Sequence, residues 1–144
     1  MVKDLNFIEV LRIYEDRIQA EDKIMKSLTA GEGMQRRDEF LLSVGEDAAV
    51  FMNTLVKSAN AKIILEIGTS YGYSTLWLAE AARENGGLVI TLEADEAKVT
   101  YAKDKLKQAG LLKYVDFRVG DALKLIEKAE EHFDFVLVDI WKDL

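Results

Sequence analysis

The chain has 144 residues, 49% of them hydrophobic, a length and balance that suit one globular domain with a real core. Its formal charge of −7 speaks against a broad phosphate-binding surface, and the lack of cysteine removes disulfides, thiolate metal sites and cysteine nucleophiles. No apolar run reaches the roughly 18 residues needed to span a bilayer, and no apolar stretch follows Met1-Val2-Lys3-Asp4, so neither a membrane helix nor a secretory signal is expected and a cytoplasmic setting fits.

Apolar side chains first recur at helical spacing, at Leu5, Ile8, Leu11, Tyr14, Ile18, Met25 and Leu28. Thr29 to Gly33 breaks that stripe. A second helical stripe runs through Leu41, Val44, Ala48, Phe51 and Leu55 and ends near Asn60. Ile63 to Ile67 is short, β-branched and apolar on both faces, the mark of a strand buried on both sides. Gly68 to Ser74 reads as a loop, and Thr75 to about Glu84 as a helix whose inner side carries Leu76, Ala79 and Ala82 or Arg83, stopped by Asn85-Gly86-Gly87.

Leu88 to Leu92 is a second buried strand. Asp95 suits the N-cap of a helix with an inner face of Val99, Ala102 and Leu106, closed by Gly110. Val115 to Val119 alternates and reads as a strand nearer an edge. Gly120-Asp121 leads into a short helix, and Phe133 to Val138 forms a fourth strand. The order α-α-β-α-β-α-β-α-β implies right-handed crossovers and a doubly wound parallel sheet, an α/β Rossmann-like architecture. Ligands of such sheets bind beyond the carboxyl ends of the strands. Residues 66–74, 93–95, 120–122 and 139–142 are therefore the candidate site.

Glu66-Ile67-Gly68-Thr69-Ser70-Tyr71-Gly72-Tyr73-Ser74 is the strongest signal. Gly68 and Gly72 allow a sharp turn, and the following helix start offers free N–H groups and a positive dipole end. The spacing is Gly-x-x-x-Gly rather than the Gly-x-Gly-x-x-Gly of dinucleotide sites. A carboxylate at Glu66 repels a pyrophosphate but suits an ammonium group, which points to S-adenosylmethionine. An ordinary βα turn is the plain alternative. Glu93, 25 positions after Gly68, sits where Rossmann-type sites accept from a ribose diol; a solvated acid is its plain alternative. Asp121 with Ala122 suits an adenine, or Asp121 is only a helix cap. Asp139 could ligate a hard cation and Lys142 act as a base, or both are unremarkable residues after a strand. Tyr71, Tyr73 and Trp77 could stack on a ligand or simply pack. His132, the only histidine, reads as a surface residue.

From about Ser43 to Lys142 the sequence resembles the cation-dependent class I O-methyltransferases related to catechol and caffeoyl-CoA O-methyltransferases. The segment from Glu66 to Ser74 and Asp139-Ile140-Trp141-Lys142 carry the likeness. The resemblance implies that Val44 and Gly45 contact the methionine part of S-adenosylmethionine together with Glu66, Gly68 and Ser74. Thr69, Ser70 and Gly72 belong to the same loop. It implies that Glu93 holds the ribose and that Asp121 and Ala122 hold the adenine. It further implies that Asp139 binds Mg²⁺ or a similar ion, that Lys142 deprotonates or orients the acceptor hydroxyl, and that Trp141 packs beside the site.

Two departures stand out. Catechol-type members use a Ser-Gln pair where this sequence has Ala122-Leu123. The family's remaining two metal ligands and three further strands fall beyond the fourth strand, so the chain is expected to be truncated there. The division expected is an N-terminal helical cap over 1–38 and a cofactor-binding half domain over 39–144. The cap would cover the cofactor or form a homodimer through the stripe from Leu5 to Leu28. The expected partner is a small phenolic or catechol-like hydroxyl acceptor. The alternatives are a cofactor-binding or self-associating fragment without turnover, a tRNA-modifying enzyme, which the acidic balance disfavours, and an NAD-dependent dehydrogenase.

Overall fold

The computed structural model describes residues 2–140 as four strands, six α-helices and two single-turn 3-10 helices. The α-helices are α1 (Leu5–Ser27), α2 (Ala30–Gln35), α3 (Glu46–Ser58), α4 (Tyr73–Asn85), α5 (Glu96–Gln108) and α6 (Ala122–Glu127). The strands β1 (Ile63–Ile67), β2 (Leu88–Glu93), β3 (Val115–Val119) and β4 (Phe135–Val138) form one wholly parallel sheet in the order β3-β2-β1-β4. The chain thus returns to the opposite side of β1 after β3, and the strand order reverses at β1. A crevice for ligands opens at such a point.

The strands match the residues expected of them within one or two positions, and the caps explain why. Asp95 accepts the N–H groups of Ala97 and Lys98 and starts α5. Gly86 adopts the left-handed conformation that ends α4. Alternate side chains of β1 and β2 divide the core. Ile64 and Val89 face a large cluster with α1, α3, α4 and α5, whereas Leu65, Ile67, Ile90 and Leu92 face a smaller one with Leu125 and Ile126 of α6.

The helices differ from the expected pattern in three ways. In α1 the buried residues are Phe7, Val10, Tyr14 and Glu21, while Leu5 is 79% exposed. The sequence offers two overlapping stripes, and the packing partner selects one. Phe7 meets Trp77 edge-on at 5.0 Å and Tyr14 meets Tyr73 at 5.8 Å, both on α4. In α3 the inner face is Ala49, Met52, Asn53 and Val56, one position away from the predicted Ala48, Phe51 and Leu55. Asn53 fixes that rotation, since its amide donates to the Trp77 carbonyl at 2.8 Å and to Glu80 Oε2 at 2.6 Å. Helix α4 is buried on nearly every side from Tyr73 to Ala82 rather than along one stripe, because it lies between the sheet and the N-terminal helices.

Two further corrections concern the segment between α1 and α3. Thr29 does not merely break α1; it caps α2 through a reciprocal pair with Glu32. Leu41 and Val44 lie before α3 rather than within it, in an extended stretch that holds Leu42 at φ 46°.

Candidate cofactor site

The ends of all four strands are laced together at the carboxyl edge of the sheet. The amides of Gly68 and Thr69 both donate to the Leu92 carbonyl, at 2.9 and 3.1 Å. Asp139 N–H donates to the Ile67 carbonyl, and Gly120 N–H to that of Glu93, each at 2.9 Å. Glycine is required at the first of these positions. Gly68 has φ 101°, and a Cβ there would collide with the Asp139 carbonyl oxygen. The glycine loop and the end of β4 are therefore in direct backbone contact.

Glu66 lies under the loop, fully buried. It accepts from the hydroxyls of Ser74 at 2.5 Å, Thr91 at 2.7 Å, and Thr75. Burial, with a smaller contribution from the nearby Asp139, pushes its carboxyl up to about 7 against the pull of those three donors. Thr69 extends the network, with its hydroxyl 2.6 Å from that of Thr91. Glu66 and Ser74, both expected to meet a ligand, here meet each other. The carboxylate supports the floor of the loop.

Glu93 stands at the loop's other side. Its Oε1 accepts the Ser70 N–H at 2.8 Å and its Oε2 the Asp95 N–H at 3.0 Å. A carboxylate has about four lone-pair sites, so two remain for hydroxyls of a bound diol. Ser70 itself has φ 50°, a left-handed conformation that a non-glycine residue holds only against some strain.

Asp121 is exposed and caps α6 by accepting the Lys124 N–H at 3.1 Å. With Ala122 it also lines an apolar groove of about 520 Å³ shared with Ile67, Leu123, Val138 and Ile140. The cap and the groove coexist. Val44 and Gly45 lie on the opposite side of the loop. Val44, Ser70, Tyr71, Ser74 and Asp139 bound a narrow space of about 10 Å³. Gly45, at φ 87°, opens α3.

Burial alone raises the carboxyl of half-buried Asp139 above the ordinary aspartate range. No group of three acidic, histidine or cysteine side chains that could hold a metal occurs among the described residues. Glu66 is the neighbouring acid, and its oxygens are occupied by hydroxyls. The described residues do not by themselves fit a divalent cation. Trp141 and Lys142 lie outside the described residues. Tyr73 and Trp77 pack in the core rather than facing a ligand. Tyr71 packs by its edge against Tyr101.

Several participants escaped the reading of the sequence. Thr75 and Thr91 looked like ordinary helix and strand residues. Arg17 and Glu21, on α1, reach the loop region only through the tertiary fold. No local spacing announces them.

A parallel sheet reversing at β1, with a glycine loop and an acid closing β2, defines a class I methyltransferase-type Rossmann-like fold. The O-methyltransferase family model matches residues 15–144, and the chain belongs to that family. It is 38% identical over 102 residues to catechol O-methyltransferase of Niastella koreensis, covering 68% of this chain and 46% of that protein. It is 36% identical over 109 residues to caffeoyl-CoA O-methyltransferase of Zinnia elegans, covering 72% and 44%. An O-methyltransferase from Bacillus cereus, solved in complex with SAH, superimposes with a TM-score of 0.66 at 32% identity, covering 96% of this chain and 56% of that one. The chain spans somewhat under half the length of the curated relatives it matches.

Proposed function

We propose that the chain provides the S-adenosylmethionine-binding part of an O-methyltransferase acting on a small hydroxylated, catechol-like acceptor. The observation that carries this reading is the laced edge itself. Glu93, the Gly68–Ser74 loop and Asp139 are held within one hydrogen-bonded frame, with the apolar Asp121–Ala122 groove beside it. In this reading the groove takes the adenine, Glu93 the ribose hydroxyls, and the loop with Val44 and Gly45 the methionine end. When bound, the cofactor supplies the methyl group, which passes from sulfur to the acceptor oxygen as the C–S bond breaks and the hydroxyl proton leaves. Asp139, on the frame's outer wall, is the carboxylate this chain would contribute to a cation, and Lys142 the proposed base. The setting proposed is cytoplasmic; no helix of the described residues is long and apolar enough to cross a membrane.

Titration calorimetry with S-adenosylhomocysteine tests the cofactor reading, and methyl transfer to catechol with and without Mg²⁺ tests the reaction. Binding of a nicotinamide cofactor with no binding of S-adenosylhomocysteine sinks the proposal. A second reading, cofactor binding without turnover by this chain alone, has its own support. Val136 and Val138 on the outermost strand are 50% and 62% exposed, and Asp139 has no completing ligands among the described residues. Binding without transfer is its expected result.

A further inference from the structure

The segment from Asp38 to Val44 crosses the loop side of the crevice as a strap, and α1 ties it down. Glu21 is buried, and both its carboxylate oxygens accept the Leu41 N–H, at 2.9 and 3.2 Å. Arg17, one turn earlier, donates to Glu21 at 3.0 Å and to the Glu39 carbonyl at 3.1 Å. Its guanidinium also lies 4.1 Å from the centre of the Tyr71 ring and 4.9 Å from that of Tyr101. Tyr71 belongs to the glycine loop, and its hydroxyl donates to the Asp38 carbonyl at 2.7 Å. Helix, strap and glycine loop therefore meet at one cation.

Beneath the strap the space against Ser70, Tyr71 and Ser74 is about 10 Å³, room for one water at most. A methionine moiety cannot occupy it with the strap in this position. The strap also carries the means to move. Leu42 is held at φ 46°, a conformation a branched apolar side chain adopts only under constraint, and Gly45 at φ 87° ends the segment.

We infer that Arg17 and Glu21 form a latch that gates the cofactor crevice, holding the strap down until it lifts to admit the ligand's amino-acid end. The inference rests on the cofactor reading above. A ligand that enters only the strap-open form associates at a rate scaled by the open fraction. Weakening the latch therefore raises the association rate and tightens the apparent affinity by the same factor, while dissociation from the strap-open complex stays unchanged. A residue serving stability alone would weaken affinity without speeding association.

The test is stopped-flow binding of S-adenosylhomocysteine to the full chain and to Glu21→Gln, with hydrogen exchange measured on both. About a tenfold rise in the association rate constant is expected, with about tenfold faster exchange at the Leu41 amide and unchanged exchange at Val10. An unchanged or slower association rate in a folded variant overturns the latch. Should Glu21→Gln not fold, Arg17→Met removes the cation while keeping an unbranched apolar stem, and the same rates decide. If the unaltered chain takes up no S-adenosylhomocysteine, the cofactor reading fails, and exchange at Leu41 alone judges the latch. Faster exchange in the variant then supports it, and unchanged exchange refutes it.

Discussion

Glu93 closes β2 and, through Oε1, holds the amide of Ser70 at 2.8 Å across 23 positions of sequence. That single contact pins the one loop residue whose backbone is strained without being glycine. Replacing Glu93 by Ala should release Ser70 and remove the lone pairs offered to a ribose. The expected outcome is a loss of at least tenfold in S-adenosylhomocysteine affinity by calorimetry, with a stability loss of about 1–3 kcal/mol for the Ser70 and Asp95 amides left without their acceptor. Unchanged affinity would remove Glu93 from the site.

Glu66 makes the fold sensitive to pH in a defined direction. Its carboxyl titrates near 7 in the folded chain against 4.5 as the reference, chiefly because burial disfavours the charged form. The folded state therefore holds a proton that the unfolded state has released between those values. By linkage, stability falls as pH rises through that window and is greatest below it, by up to about 3 kcal/mol for this group alone. Glu66→Gln should flatten the dependence of unfolding free energy between pH 5 and pH 8. Denaturant titrations at several pH values check this, and an unaltered slope in the variant refutes it.

Tyr14 joins α1 to the glycine loop from below. Its hydroxyl donates to the Tyr71 carbonyl at 2.6 Å, and the side chain has no solvent exposure. Tyr14→Phe leaves that carbonyl without its partner, and a cost of about 1–3 kcal/mol is expected in chemical unfolding. A loss below about 0.5 kcal/mol would mean that water replaces the hydroxyl there.

Gly68→Ala should be far more damaging. It combines φ 101° with a collision at the Asp139 carbonyl, so neither the loop nor β4 can stay in place. More than about 2 kcal/mol of destabilisation is expected. Gly31→Ala, with open space around the new methyl group, serves as the control and should be near neutral or stabilising.

The strands and their order of appearance were legible because β1, β2 and the glycine turn announce themselves by composition over five or six residues. Asp95, Gly86 and Gly110 were legible for the same local reason. The rotation of α1 and α3 was not. Leu5, Ile8 and Phe51 are as apolar as Phe7, Val10 and Met52, and only contact with α4 separates the two stripes. Glu66 shows a different limit. Its position was evident and its surroundings were not, since Ser74 and Thr75 of α4 and Thr91 of β2 converge on it. Periodicity cannot see a buried polar knot. The same holds for Glu21, whose partner Leu41 lies 20 positions away in a segment that read as helix.

The wholly parallel sheet also sets the order in which the protein can be made. Strand β1 finds β2 after a single crossover, but its other neighbour comes much later. Ile63 N–H reaches Asp134, at the foot of β4, across 71 positions. Contacts of such separation close slowly because the intervening chain must first be ordered. At roughly 5–20 residues per second of synthesis, that flank of β1 stays uncovered for several seconds or more after it leaves the ribosome. The strand at the centre of the finished sheet is thus, for that interval, a nascent edge.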